Sequence, residues 1–99
     1  MLQTIDWQAR AKSAHFPNRP FIDGAYVDSL SGETFPCIYP GDGRLLIDVA
    51  SCNDADVDVA VKSARKAFNS GVWSRMAPAD RRRILLKFSE LILTNREEL

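Results

Sequence analysis

The segment of residues 53–68, NDADVDVAVKSARKAF, combines acids at its start with apolar residues at helical spacing. The apolar residues follow the i, i+3, i+4, i+7, i+11 pattern of one helix face. They are Val57, Ala60, Val61, Ala64 and Phe68. Asn53 suits an N-cap, acids fill the first turn and bases the last turns, which complements the helix dipole. These bases are Lys62, Arg65 and Lys66, and the predicted end is Asn69, Ser70 and Gly71. The segment predicts an amphipathic helix, which constrains the architecture and leaves the chemistry open.

The alternating acids of this segment, Asp54, Asp56 and Asp58, also suggest a calcium loop. Such a loop needs a glycine at its sixth position and a bidentate glutamate at its twelfth. Counted from Asp54, those positions hold Val59 and Arg65. A cation in place of the last ligand would repel calcium, so the spacing favours the helix start over a metal-binding protein.

The charge balance excludes several classes of partner. Thirteen basic residues balance thirteen acidic ones, so no net field favours nucleic acid or an anionic membrane. The basic run of residues 81–83 is short and is interpreted as a solvated helix face. No apolar run approaches the roughly 20 residues of a membrane helix, and the N-terminus lacks the apolar core of a signal peptide. We expect a cytoplasmic protein.

The cysteines and the single histidine indicate no reactive centre. Cys37 and Cys52 are too few for a disulfide framework and lack the CxxC spacing of zinc or redox sites. Each is interpreted as a small buried or half-buried thiol. His15 has no second ligand type nearby and is interpreted as a surface residue.

The first half of the chain predicts a short helix followed by β-segments. Residues 4–14 have a weak amphipathic pattern. Residues 21–27, FIDGAYV, form two short β-segments around Asp23-Gly24, a pair that favours a hairpin turn with positive φ at both positions. Residues 34–39 are extended, and Pro36 suits an edge strand. Residues 44–51, RLLIDVAS, are the best strand and lead directly to the helix at Asn53.

A second amphipathic helix is predicted from Pro78, a residue well suited to a first helical position. Its apolar face comprises Ile84, Leu85, Phe88, Leu91, Ile92 and Leu99. The helical pattern continues through residues 94–99, TNREEL, with no glycine or proline to end it. We therefore expect the chain to be a piece of a larger protein.

No catalytic motif is present in these residues. The strand-to-helix step SCNDADVD has no glycine, so it matches neither GxGxxG nor a P-loop. A GxSxG motif is absent, and a Cys37–His15 thiolate pair would lack an activating helix N-terminus. The residues alone therefore predict no enzyme activity.

The order of these segments resembles the N-terminal segment of the NAD(P)-dependent aldehyde dehydrogenase superfamily. The resemblance covers residues 21–99. Its parts are FIDGAYVDS, TFPCIYP, DVDVAVKSARKAF, GVW and PADRRRILLKFSELI, in the expected order and spacing. The leading DWQARAKSA before RPFIDG is similar to the group that acts on aminoaldehydes such as γ-glutamyl-aminobutyraldehyde or guanidinobutyraldehyde.

The resemblance implies an α/β parent fold with a Rossmann-like coenzyme domain. Residues 1–20 would form an N-terminal helix and extended arm, and residues 21–99 part of the coenzyme-binding domain. The parent enzyme would oxidise an aldehyde to a carboxylic acid through a cysteine nucleophile, a glutamate and NAD or NADP. Neither Cys37 nor Cys52 matches the nucleophile's motif, so no catalytic or coenzyme-binding residue is assigned and the 99 residues alone are expected to be inactive.

Two further expectations follow from the family. Many members bind a monovalent cation through backbone carbonyls in the segment matching FPCIYP, which would make Cys37 and Ile38 contributors. The parent would be a homo-oligomer, and this chain would self-associate through its exposed apolar helix faces. The alternative is a self-contained small α+β interaction module, in which both helix faces close on the β-segments.

Overall fold

The computed structural model describes residues 4–99. Its helices are α1 (Trp7–Ser13), α2 (Asp54–Ser70) and α3 (Pro78–Thr94). Its strands are β1 (Phe21–Ile22), β2 (Ala25–Tyr26), β3 (Thr34–Ile38) and β4 (Leu45–Ala50). The chain divides into two compact units, the first reaching Ala60 and the second comprising Val61–Leu99. The described residues therefore have mixed α/β secondary structure, as predicted.

The β1–β2 hairpin confirms the turn predicted at Asp23-Gly24. Phe21 pairs with Tyr26 in antiparallel register. Asp23 has φ 54° and Gly24 has φ 78°, so both turn positions lie in the left-handed region. The rings of Phe21 and Tyr26 meet edge to face with centroids 5.1 Å apart. The primed turn matches the twist of the strands, which accounts for this tight connection.

Strands β3 and β4 form a second antiparallel pair, within a residue of the predicted bounds. The register runs from Thr34 opposite Ala50 to Cys37 opposite Ile47. Because the sheet has two strands, both are edge strands, and Pro36 lies where its missing N–H is tolerated.

Helix α1 is shorter than the predicted 4–14 segment. The Asp6 carboxylate accepts a hydrogen bond from the Ala9 N–H at 3.0 Å, so Asp6 is the N-cap and the helix begins at Trp7. Ala14 is already extended, with ψ 133°. The periodicity identified the helix, and its two ends follow from this capping contact and the extended residue.

Helix α2 confirms the predicted start and the predicted end, and differs from the prediction in the position of its basic residues. Asn53 precedes the helix, and Asp54 and Asp56 occupy its first turn. The helix continues through Asn69 and Ser70 and is followed by Gly71 at φ 71°. Its last turn therefore contains no basic residue, contrary to the prediction. Lys62, Arg65 and Lys66 precede that turn.

Helix α3 begins at Pro78 as predicted but ends at Thr94, so the expected continuation to residue 99 is wrong. The Thr94 hydroxyl donates to the Glu90 carbonyl at 3.0 Å. The Asn95 side-chain amide donates to the Leu91 carbonyl at 2.8 Å. The Leu91 carbonyl also accepts from the Asn95 backbone N–H at 3.0 Å, and Asn95 leaves the helical conformation with φ −100° and ψ 15°, which makes it the C-cap.

Apolar side chains in the described part of the chain are uncovered. None of the hydrophobic residues among residues 4–99 is buried, although hydrophobic residues make up 45% of the sequence. The apolar stripe of α2 has Val57 56%, Val61 57% and Phe68 64% exposed. On α3, Phe88 is 60% exposed. Both amphipathic helices thus present their apolar faces to solvent. Within residues 4–99 no helix has the length and apolar character needed to cross a membrane.

Candidate functional site

The two residues predicted to contribute carbonyls to a cation, Cys37 and Ile38, lie at an irregularity of the β3–β4 ladder. Cys37 is half-buried and pairs with Ile47, whereas Ile38 pairs with Leu45. An unbroken ladder would pair Ile38 with Leu46, so one extra residue of β4 is left without a partner in the ladder. The structure thus brings both residues to a β-bulge, where the regular pairing of backbone groups is interrupted.

The turn beyond this bulge is closed by backbone hydrogen bonds. The Tyr39 N–H donates to the Arg44 carbonyl at 2.8 Å, and the Gly43 N–H donates to the Tyr39 carbonyl at 2.8 Å. The part of the chain that the structure describes has no group of three or more His, Cys, Asp or Glu side chains able to hold a metal ion. A cation here would therefore depend on backbone carbonyls, the hard oxygen ligands that such ions accept.

The acid series at the start of α2 is divided between one buried and two exposed residues. Asp56 is 5% exposed and is the buried charged residue among those described, whereas Asp54 and Asp58 are exposed. One Asp56 carboxylate oxygen accepts from the Leu30 N–H at 2.7 Å, and the other accepts from the Asn53 N–H at 3.0 Å. Both carboxylate oxygens of Asp56 thus accept hydrogen bonds from backbone N–H groups.

Asn53 completes a reciprocal capping arrangement with Asp56. The Asn53 side-chain oxygen accepts from the Ala55 N–H at 3.0 Å and from the Asp56 N–H at 3.2 Å. This is the geometry of a capping box, with the aspartate in the place of the usual glutamate. The sequence signal for this capping box is the spacing Asn-x-x-Asp. The observed hydrogen bonds confirm Asn53 as the predicted N-cap.

The same N-terminus decides whether these residues suit a dinucleotide coenzyme. A dinucleotide phosphate is held by free N–H groups at a strand-to-helix step with glycines in the loop. Here the Ala55 and Asp56 N–H groups already bind the Asn53 side chain, and no glycine lies between Ala50 and Asp54. The residues present do not fit a coenzyme phosphate at this step.

A serine cluster anchors the loop that contains Leu30. The Ser31 hydroxyl donates to the Ser51 carbonyl at 2.5 Å and accepts from the Glu33 N–H at 3.2 Å. The Ser29 hydroxyl accepts from the Gly32 N–H at 3.2 Å. Together with the contact between Leu30 and Asp56, these bonds attach the loop to the junction of β4 and α2. No local sequence pattern indicated this contact, because its partners are 26 residues apart.

Arg75 supplies the positive charge at the C-terminus of α2. Its guanidinium donates to the Ser70 carbonyl at 2.6 Å and lies 3.5 Å from the Asn69 carbonyl. The space that a Cβ on Gly71 would need is filled by this guanidinium. A cation satisfies the end carbonyls and complements the dipole. Sequence analysis missed Arg75 because it lies five residues after the helix.

The remaining candidates have surface positions. His15 is exposed, as predicted. Both cysteines are free thiols, and Cys37 is half-buried as expected, whereas Cys52 is exposed. The interpretation of Cys52 as a buried or half-buried thiol is therefore wrong, because its place between β4 and α2 leaves its side chain uncovered.

The first unit also contains an open cavity of about 800 Å³ that sequence analysis did not indicate. One wall is formed by α1 and the residues after it, from Trp7 to Phe16. The other wall is formed by Tyr39 and residues 44–47 at the β3–β4 turn. The cavity brings together segments that are far apart in sequence.

Comparison with known proteins relates this arrangement to one enzyme family. The model of the aldehyde dehydrogenase family matches residues 26–99. Aldehyde dehydrogenase 1 of Tanacetum cinerariifolium is 49% identical over 79 residues, which cover 80% of this chain and 16% of that protein. Aminoacetaldehyde dehydrogenase of Pseudomonas aeruginosa is 41% identical over 92 residues, which cover 93% of this chain and 18% of that protein.

A solved structure extends the similarity to three dimensions. Indole-3-acetaldehyde dehydrogenase complexed with NAD+ superimposes with a TM-score of 0.86 and 53% sequence identity. The match covers 94% of this chain and 19% of that structure. The chain thus spans less than a fifth of the length of these relatives. Because the family model matches most of its residues, the chain belongs to the aldehyde dehydrogenase family.

Proposed function

We propose that this chain is the N-terminal scaffold of an NAD(P)-dependent aldehyde dehydrogenase that oxidises an aldehyde to a carboxylic acid. Residues 1–20, of which 1–3 lie outside the described part of the chain, are proposed as an arm, and residues 21–99 as part of the coenzyme-binding domain. The nucleophile, the base and the coenzyme-binding groups belong to sequence outside these 99 residues. Cys37 and Cys52 have no catalytic role in this proposal.

The observation on which the proposal rests is the exposure of apolar residues on helices with well-formed ends. Both ends of α2 are satisfied, by Asn53 at the start and Arg75 at the end. Nevertheless Val61 and Phe68 remain more than half exposed. Contiguous exposed apolar surface marks a site that contacts other protein. In the complete enzyme we propose that the Rossmann-like sheet, formed by sequence outside this chain, supplies that contact.

The substrate class proposed is an aminoaldehyde. Support comes from the similarity to the aminoacetaldehyde dehydrogenase, which extends over 92 residues of this chain, and from the leading residues 6–14. The coenzyme is NAD or NADP, and a coenzyme-bound relative supports this class. Because the α2 N-terminus does not fit a phosphate, no residue described here is assigned to the coenzyme.

The carbonyls of Cys37 and Ile38 are proposed as ligands for a monovalent cation in the complete enzyme. Support comes from the register shift between these residues, since interrupted pairing frees backbone oxygens for other partners. The other ligands would come from outside this chain.

Self-association and location complete the proposal. The parent enzyme is a homo-oligomer, and the 99-residue chain associates through the uncovered faces of α2 and α3. The protein is cytoplasmic, and two free thiols agree with a reducing compartment. Neither a membrane nor a nucleic acid is proposed as a partner, because acidic and basic residues balance.

The test is a chimera in which this chain replaces the corresponding segment of the Pseudomonas aeruginosa relative. We expect reduction of NAD+ that requires aminoacetaldehyde. The matched variants are Val61→Asp, which places a charge on the apolar stripe, and Lys62→Asp on the neighbouring polar face. Val61→Asp is expected to abolish soluble active enzyme, and Lys62→Asp to leave it. The scaffold role would be contradicted if the chimera without further substitutions folded but were inactive, or if both variants had equal activity.

The interaction module is not supported as the alternative. It requires one core formed by the helix faces and the β-segments, yet no hydrophobic residue among those described is buried. Membership of the aldehyde dehydrogenase family favours the dehydrogenase proposal instead.

A further inference from the structure

The open cavity of the first unit has the volume of a small-molecule site. Its volume of about 800 Å³ lies within the range of roughly 300–1,000 Å³ typical of ligand pockets. Its walls come from α1 with the following residues and from the β3–β4 hairpin. A ligand in it would contact two segments at once.

The charged side chains that line the cavity are all basic. The charged side chains in its lining are Lys12 and Arg44, His15 adds an imidazole, and no aspartate or glutamate lines it. The nearest acid to Arg44 is Asp42, 3.8 Å from the guanidinium, with both side chains more than half exposed. Such an exposed, long ion pair is weak and leaves the guanidinium available. The cavity therefore favours an anion.

The remaining wall is largely aromatic. Trp7, Phe16 and Tyr39 line the cavity with exposed ring surface. The Arg44 guanidinium lies over the Tyr39 ring, 4.8 Å from its centroid, within the range of a cation–π contact. A planar guanidinium beside aromatic rings is suited to a ligand in which a carboxylate is attached to an apolar group.

The turn that holds this pair is closed before any ligand binds. Backbone bonds in both directions join Tyr39 to residues 43 and 44. The Asp42 carboxylate accepts from the Arg44 N–H at 3.0 Å. Gly41 has no side chain, and a Cβ there would overlap the Tyr39 ring. The pair of Tyr39 and Arg44 is therefore held in position, which lowers the entropy cost of binding.

We propose that this cavity binds a small organic carboxylate with an aromatic or aliphatic body. Arg44 and Lys12 bind the carboxylate from opposite walls, and the rings of Trp7, Phe16 and Tyr39 contact the apolar body. This inference does not depend on the dehydrogenase proposal.

The probe is phenylacetate, with phenylacetamide as its uncharged counterpart. The chain has two tryptophans, Trp7 and Trp73, so a Trp73→Phe variant leaves Trp7 in the cavity wall as the fluorescent reporter. We expect a saturable change in fluorescence with phenylacetate, and binding of the amide weaker by about tenfold, since a hydrogen bond to a charged group is the stronger one. Equal affinity of acid and amide, or no saturation, would overturn the proposal.

Substitutions then locate the site. Arg44→Gln is expected to weaken phenylacetate binding by about tenfold. The control Arg82→Gln, which removes the same charge from α3, is expected to leave it unchanged. Lys12→Gln tests the opposite wall of the cavity and is also expected to weaken phenylacetate binding. It remains informative if Arg44→Gln alters the turn, a change that circular dichroism would detect. Equal effects of the Arg44 and Arg82 changes would exclude the cavity. In the chimera, Arg44→Gln is expected to weaken phenylacetate binding and to leave dehydrogenase activity unchanged. That result would distinguish this site from the proposed dehydrogenase function.

Discussion

The Asp56 carboxylate accepts a hydrogen bond from the backbone N–H of Leu30 at 2.7 Å, across 26 residues of sequence. The same carboxylate caps the first turn of α2 through the Asn53 N–H. One buried side chain therefore attaches a loop to a helix and caps the start of that helix at the same time.

Asp56→Ala is expected to free this loop. The Leu30 N–H would lose its acceptor, and the change should cost about 1–2 kcal/mol, as for loss of a cap or a charged hydrogen bond. Amide hydrogen exchange at Leu30 measures it, with an expected acceleration of about tenfold or more. Asp58→Ala removes the same charge from an exposed position and should leave that exchange unchanged. Equal acceleration by both changes would refute the anchoring role.

Asn53→Ala is expected to shorten α2 at its start. Two N–H groups, of Ala55 and Asp56, would lose their side-chain acceptor, at a cost of about 1 kcal/mol. Circular dichroism during urea unfolding gives this loss. Asn53→Asp keeps an oxygen in the same place and should restore the stability. Failure of the aspartate to do better than alanine would show that the cap contributes little.

Gly71→Ala is expected to destabilise the end of α2 by two effects. The residue has φ 71°, a conformation that costs about 1–2 kcal/mol with a side chain. An added Cβ would also displace the Arg75 guanidinium from the Ser70 carbonyl. Gly43→Ala has a similar φ of 75° with open space around it, so it reports the backbone cost alone. Thermal unfolding should show a larger loss for Gly71→Ala; equal losses would dismiss the Arg75 contribution.

Phe88→Lys is expected to reduce self-association of the chain. Phe88 is 60% exposed on the apolar face of α3, and a charge there opposes burial against another surface. Sedimentation velocity measures the average mass at several concentrations. Thr94→Lys adds the same charge at the last residue of α3, on the side of Glu90, and should leave association unchanged. A monomeric parent chain would contradict the prediction at once.

Local patterns accounted for most of the secondary structure. An apolar run bounded by turn signals predicted β4, and helical periodicity predicted α2 and α3, because each pattern depends on neighbours a few residues apart. Asp23-Gly24 predicted its turn, since the preference for positive φ is a property of the two residues themselves. The ends of α1 and α3 differed from prediction because Asp6 caps the start of α1 and Asn95 caps the end of α3, and periodicity alone does not indicate which residue caps a helix.

Local sequence patterns predicted less of the candidate sites. The sequence indicated Cys37 and Ile38 only through a family resemblance, and the bulge between them depends on how two strands pair. The cavity beside Arg44 joins α1 to the β3–β4 turn, so no single segment has a pattern that indicates it.

The sequence by itself determined the helices, the hairpin turn and membership of the aldehyde dehydrogenase family, because these follow from local spacing and from the order of segments. Only the tertiary structure decided that Asp56 binds Leu30, that Arg75 caps α2 and that Tyr39 and Arg44 form one wall of a cavity. Those contacts depend on the path of the chain between the partners, which the chemistry of neighbouring residues does not specify.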